Sequence, residues 1–108
     1  MKKLPYRART ASGDTFDIEF PLHPETGDSV RVAQLVSLLL DALDRDIAVL
    51  GETSNGDVLQ AMAMAMAIRA EMIYASSEIT DRLSQELLRV ALQAAANSKR
   101  ESPQVGHA

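Results

Sequence analysis

VLQAMAMAMAIRAEMIYASSEITDRLSQELLRVALQAAANSK, Val58 to Lys99, runs for 42 residues without a glycine or a proline. Ala, Leu, Met, Gln, Glu and Arg dominate it, and these are the strongest intrinsic helix formers. As one helix it would span about 63 Å, at about 1.5 Å per residue. A chain of 108 residues makes one domain, and a helix of that length would project beyond it. The expectation is therefore a helix that pairs with a partner chain.

The apolar positions of this stretch keep a heptad phase: Leu59, Met62, Met66, Ile73, Leu83, Leu87, Val90 and Ala94. The same phase puts Arg69, Ser76 and Thr80 in the seam. Two readings follow. Either the helix is continuous and the polar layer sets register, or it breaks near Ser76-Ser77 and restarts with Ser77 as N-cap. Serine is tolerated inside helices, so continuity is the expectation. On that reading Leu59, Met62, Met66, Ile73, Leu83, Leu87 and Val90 form an oligomer interface.

Upstream, the spacing predicts a helix from about Ser29 to Leu50, capped by Asp28 or Ser29 and ended by Gly51. Gln34, Ser37, Asp41 and Asp44 make one narrow polar stripe on it, and the rest of its girth is apolar. Such a helix is buried on more than one side. Ser54, with Asp57 three residues on, opens the long helix as a capping box.

The N-terminal segment reads as a hairpin, Tyr6–Thr10 and Thr15–Phe20, turning at Ser12-Gly13-Asp14. Phe16, Ile18 and Phe20 alternate with Asp17 and Glu19, the period of a half-buried strand. A three-residue loop pairs Arg9 with Asp17, Arg7 with Glu19, Ala8 with Ile18 and Tyr6 with Phe20, so that opposite charges and apolar groups meet across the ladder. Glycine in the second loop position counts against that register. Pro21 and Pro24 end the second strand, and Leu22 to Gly27 is a loop. Residues 1–98 read as a single α+β domain and 99–108 as a flexible polar tail. The fold expected is a two-stranded N-terminal hairpin followed by two long helices, or three if the stretch breaks, assembled as a homodimer or higher oligomer through its helices.

Composition narrows the function. There is no cysteine, so disulfides, thiol catalysis and Cys-ligated zinc are excluded. No segment is apolar enough to be a signal peptide or to cross a bilayer, so the expected compartment is the cytoplasm, with no membrane association. The net charge of −4 hides an asymmetry. Residues 1–13 carry Lys2, Lys3, Arg7 and Arg9 and no acid, whereas residues 14–57 carry ten acids against Arg31 and Arg45. The two blocks neutralise each other across the hairpin, or the basic block is an arm for an anionic partner. The first is the expectation, because charge blocks of this size are usually solvated faces, and nucleic acid is not the partner expected of an acidic chain.

The segment Ala61 to Ala67, AMAMAMA, offers thioethers of the kind that hold Cu(I). In a helix Met62 and Met66 share a face while Met64 points away, so three sulfurs cannot converge within one chain. The reading is a packing stripe, with alanines allowing close approach and methionines filling gaps. His23 and His107 lie in loop and tail with no group spaced to orient a general base. Asp41, Asp44, Asp46 and Glu52 lack cation-loop spacing, but acids near a helix C-terminus oppose its macrodipole, which keeps a partner-binding role open for Asp41 and Asp44. No phosphate loop or nucleophile elbow is present. No cofactor, metal or catalytic residue is expected.

The order of elements, together with the hairpin RARTASGDTFDIEF and the segment Val58-Leu59-Gln60-Ala61-Met62-Ala63, resembles the ZapA-type bacterial cell-division proteins. The resemblance implies a hairpin, a helix and a long coiled-coil helix in dimers and tetramers, and a regulator that bundles FtsZ filaments. The function expected is a non-enzymatic, homo-oligomeric scaffold or regulatory protein of the bacterial cytoplasm with an unidentified protein partner. The alternative is a small module binding an anionic partner through Arg7 and Arg9. A ligand-binding protein or enzyme of unknown chemistry comes third.

Overall fold

The computed structural model describes residues 2–102. Their order is β1 (Lys3–Arg9), β2 (Thr15–Pro21), α1 (Ser29–Leu50), α2 (Asn55–Glu71), α3 (Ser77–Ala96) and β3 (Lys99–Glu101). The three strands form one antiparallel sheet in the order β1-β2-β3. This is the expected α+β class, with a third strand added and three helices.

The hairpin register differs from the expected one by two residues. Arg7 faces Asp17, Tyr6 faces Ile18, Ala8 faces Phe16 and Pro5 faces Glu19. The loop chemistry explains the difference. Gly13 N–H donates to Thr10 O at 3.0 Å, Thr10 N–H donates to Asp14 O at 2.8 Å, and Gly13 has φ 94. The loop is therefore Ala11-Ser12-Gly13, a turn closed by its third residue. That residue sits at positive φ, where only glycine is unstrained. The register that puts glycine second has no such site for it.

The bonds Thr10 N to Asp14 O and Leu22 N to Lys2 O make the even-numbered β1 residues the ones bonded to β2. In an antiparallel ladder the odd-numbered residues then point their backbone groups outward. Pro5 is odd-numbered and lies on the sheet's free edge, so its missing N–H costs no ladder bond. That is why β1 extends through Pro5 to Lys3. On β2, Phe16, Ile18 and Phe20 are half-buried and Asp17 and Glu19 exposed.

Capping follows the sequence closely. Asp28 accepts from Arg31 N–H at 3.0 Å, and Gly51 ends α1 at φ 98 with its N–H on Ile47 O at 2.8 Å. Ser54 accepts from Asp57 N–H at 3.1 Å.

The long helix is not continuous. It stops at Glu71, and Met72–Ser76 turn the chain before α3 begins. The N-cap is Ser76, one residue before the serine expected there, and its Oγ accepts from Ile79 N–H at 3.3 Å. Ser77 Oγ donates to Glu71 Oε1 at 3.2 Å, tying the two helix ends together. The break lets α2 pack against α3 and buries Thr80, which is only 3% exposed. Its hydroxyl lies 3.3 Å from Ser76 O and 3.2 Å from Ser77 O. Thr80 is thus a packed first-turn residue, not part of a polar coiled-coil layer. Ile73 falls in the break, so the heptad seam follows no single helix.

Lys99, Arg100 and Glu101, expected to begin the tail, pair with Asp17, Phe16 and Thr15 of β2. Pro103 to Ala108, including His107, lie outside the described residues.

Packing is thin everywhere. Among the described residues no hydrophobic side chain is fully buried. The radius of gyration is 15.9 Å, against about 13 Å for a compact chain of this length. The accessible surface is 8907 Å², against about 5,900 Å² for a folded monomer of this mass.

Candidate functional site

The apolar surface that the fold leaves open is the feature with functional content. Helix α1 packs one stripe, Val32, Ala33, Val36, Leu40, Leu43 and Ile47, which is half-buried. The remaining apolar girth, Leu35, Leu38, Leu39, Ala42 and Val49, is exposed. Among helices and strands α1 contacts β1 alone. One anchor holds it there: Tyr6 Oη and Ser37 Oγ are 2.8 Å apart. Helix α2 is exposed over nearly all of its length, with only Val58, Met66 and Ala70 half-covered. From Ala61 to Ile68 it carries no polar residue. At the break Met72 and Ile73 are exposed and Tyr74 is completely so.

The expected interface residues are dispersed by the break. Leu59, Met62 and Met66 lie on α2, Ile73 on the connection, and Leu83, Leu87 and Val90 on α3. Met66 and Val90 are half-buried within the chain; the other five are exposed. The α1 stripe Leu35, Leu38, Leu39 and Val49 lies outside the interface expected from the heptad phase, although Leu35, Leu38 and Leu39 belong to the apolar girth that the sequence marks for burial. Its signal is the wide apolar girth of α1.

The basic strand is partly self-neutralised. Arg7 holds Asp17 with two hydrogen bonds, Nε at 2.7 Å and Nη2 at 3.2 Å. The bonded guanidinium holds the Asp17 carboxyl below its ordinary range, and the Arg7 pKa is raised in turn. Lys3 Nζ lies 4.0 Å from Glu19. The charges pair across the hairpin as expected in kind, but Arg7 meets Asp17 in place of Glu19. Arg9 stands opposite Thr15. Asp41 and Asp44 are exposed on the polar stripe of α1.

One ion pair was invisible in the sequence. Arg100 of β3 donates to Asp14 at the hairpin turn, with Nε 2.8 Å from Oδ2 and Nη2 on the same oxygen. Its guanidinium also lies 5.0 Å from the centre of the Phe16 ring. Asp14 is only 9% exposed. The Arg100 hydrogen bond, helped by Ser102, holds its carboxyl below the ordinary value of 3.8. A carboxylate with a depressed folded pKa stabilises the fold above its unfolded pKa, and that stabilisation is lost as pH falls through the depressed value. Amide protection of Lys99–Glu101 in hydrogen exchange should therefore hold above 3.8 and decline below it. In Asp14→Asn protection should be low at every pH. Protection unaffected by that substitution would show that the strand is held by its ladder alone.

His23 Nδ1 accepts from Glu25 N–H at 3.1 Å and Thr26 N–H donates to His23 O at 2.9 Å, so His23 shapes the loop after β2. An open groove between β2 and the end of α3 is lined by Lys3, Asp17, Glu19, Gln93, Asn97 and Lys99 among others. No His, Asp or Glu triplet spaced to hold a metal ion is found among the described residues. No protein-family model matches this chain, and neither a curated protein nor a solved structure matches it.

Proposed function

We propose that this protein is a non-enzymatic interaction or scaffold protein that works as a homo-oligomer. The observation that carries this reading is the uncovered apolar girth of α1 and α2. A surface about 3,000 Å² larger than a folded monomer of this mass requires is more than twice what one partner contributes to a standard interface, about 800 Å². Large apolar interfaces of this sort belong to obligate oligomers, whose protomers look like a domain core cut in half.

The order hairpin, helix, helix supports a place among ZapA-like regulators of cell division, while the turn at Met72–Ser76 departs from that family's long coiled-coil helix. On this reading the protein sits in the bacterial cytoplasm. Among the described residues no helix is long and apolar enough to cross a membrane. A further protein partner would meet the exposed polar stripe of α1, at Asp41 and Asp44. The alternative, an anionic partner on the basic strand, is disfavoured because Arg7 is already engaged with Asp17.

Sedimentation equilibrium at micromolar concentration tests the reading. The expected mass is a multiple of the 11.7 kDa chain. A monomer with its helices intact would overturn the proposal.

A further inference from the structure

Resting on that homo-oligomeric reading, we infer that the chain assembles by exchange: α1 of one copy covers α2 of the other, and the reverse contact completes a two-fold dimer. Three observations converge on this arrangement.

The first is the hinge. Gly51 to Ser54 is a connection of the length that normally closes two helices into an antiparallel hairpin. Yet α1 contacts neither α2 nor α3. Gly51 turns the chain at φ 98, and the longest dimension of the molecule reaches 58 Å.

The second is anchorage at both ends. Tyr6 and Ser37 fix α1 on β1, while α2 packs on α3 and α3 packs on β2. Swinging α1 back onto its own α2 would break the Tyr6–Ser37 bond and uncover the half-buried stripe of α1. A second copy can cover both helices without either change.

The third is shape. The exposed stripe of α1 is bulky, with Leu35, Leu38, Leu39 and Val49. On α2, Ala61 and Ala65 lie one turn apart on a single exposed face, flanked by the exposed Met64 and Ile68. Large side chains facing small ones interdigitate, and adaptable methionines fill the remaining gaps. Pairing α1 with α1 would set leucine against leucine and leave α2 bare. Exchange covers both helices with one copy, each contact made twice, as two-fold symmetry requires.

The chain has no native cysteine, so cross-linking gives a direct test. Leu39→Cys and Ala65→Cys chains, carrying different affinity tags, are mixed through denaturant, refolded and treated with a short bismaleimide. The expected product is the mixed dimer, in clear excess over either self-cross-linked pair. A second pair, Val49→Cys with Ala61→Cys, repeats the test should the first fail to refold. A dimer in which Leu39→Cys links mainly to itself would overturn the exchange while leaving the oligomeric reading intact. A chain carrying both cysteines that closes on itself as a monomer would overturn both.

Discussion

Leu39→Lys should dissociate the protein and unfold it in the same step. Leu39 is 60% exposed in the single chain. If that were its final environment, a lysine there would be nearly silent, because substitutions at exposed helix positions are usually within about 0.5 kcal/mol. In a covered interface the same lysine places an unpaired charge where water is excluded, which costs about 3–5 kcal/mol. On the oligomeric reading the chain has no stable monomer to retreat to, since no hydrophobic side chain among the described residues is fully buried in the single chain. The expected result is a single transition in which sedimentation mass and helical circular dichroism fall together. Retention of the wild-type mass and helicity would place Leu39 on an open surface.

Thr80→Leu should destabilise the protein by about 1–3 kcal/mol, the usual range for inserting extra methylenes into a packed site. The 3% exposure of Thr80 leaves no room for the larger side chain. The hydroxyl's local bonds to Ser76 O and Ser77 O are lost as well. Urea denaturation of the assembled protein at fixed concentration reads the change. A rise in stability would instead mean that Thr80 lies in a solvent-filled or inter-helix seam, and that α2 and α3 are one helix in solution.

Much of this fold is legible in the sequence because local chemistry decides it. Asp28, Gly51 and Ser54 each satisfy a helix terminus by a side chain or by positive φ, so three helix ends fall where the residues put them. The alternation Phe16, Ile18, Phe20 against Asp17 and Glu19 fixes which face of β2 is half-buried. Charge complementarity alone misplaces the register, because a shift of two residues preserves the alternation and still sets an arginine, Arg7, opposite Asp17. Only the demand of Gly13 for the third loop position separates the two.

The turn at Met72–Ser76 has a local signal in the Ser76 cap, but that signal does not by itself decide against a continuous helix. Every residue there tolerates a helix, and the break is favoured by packing α2 on α3 and by burying Thr80. The strand β3 is three residues long and depends on a partner 86 positions away, Asp14 with Arg100. No local pattern announces such a pairing. The candidate surface was half legible. The wide apolar girth of α1 and α2 shows in the sequence, but a heptad phase read on Val58–Lys99 alone leaves out Leu35, Leu38 and Leu39 on α1.

Folding and assembly should be one event for this protein, and dilution is the most direct way to ask. Thermal unfolding followed by circular dichroism over a hundredfold concentration range would show whether stability depends on protomer concentration. For a dimer with no stable monomer, each tenfold dilution reduces the stability of the folded dimer by about 1.4 kcal/mol, so the midpoint should fall steadily across the series. A midpoint independent of concentration, with helicity retained at the lowest concentration, would mean that the single chain is stable with α1 and α2 uncovered, and would contradict the claim that a second copy completes its core.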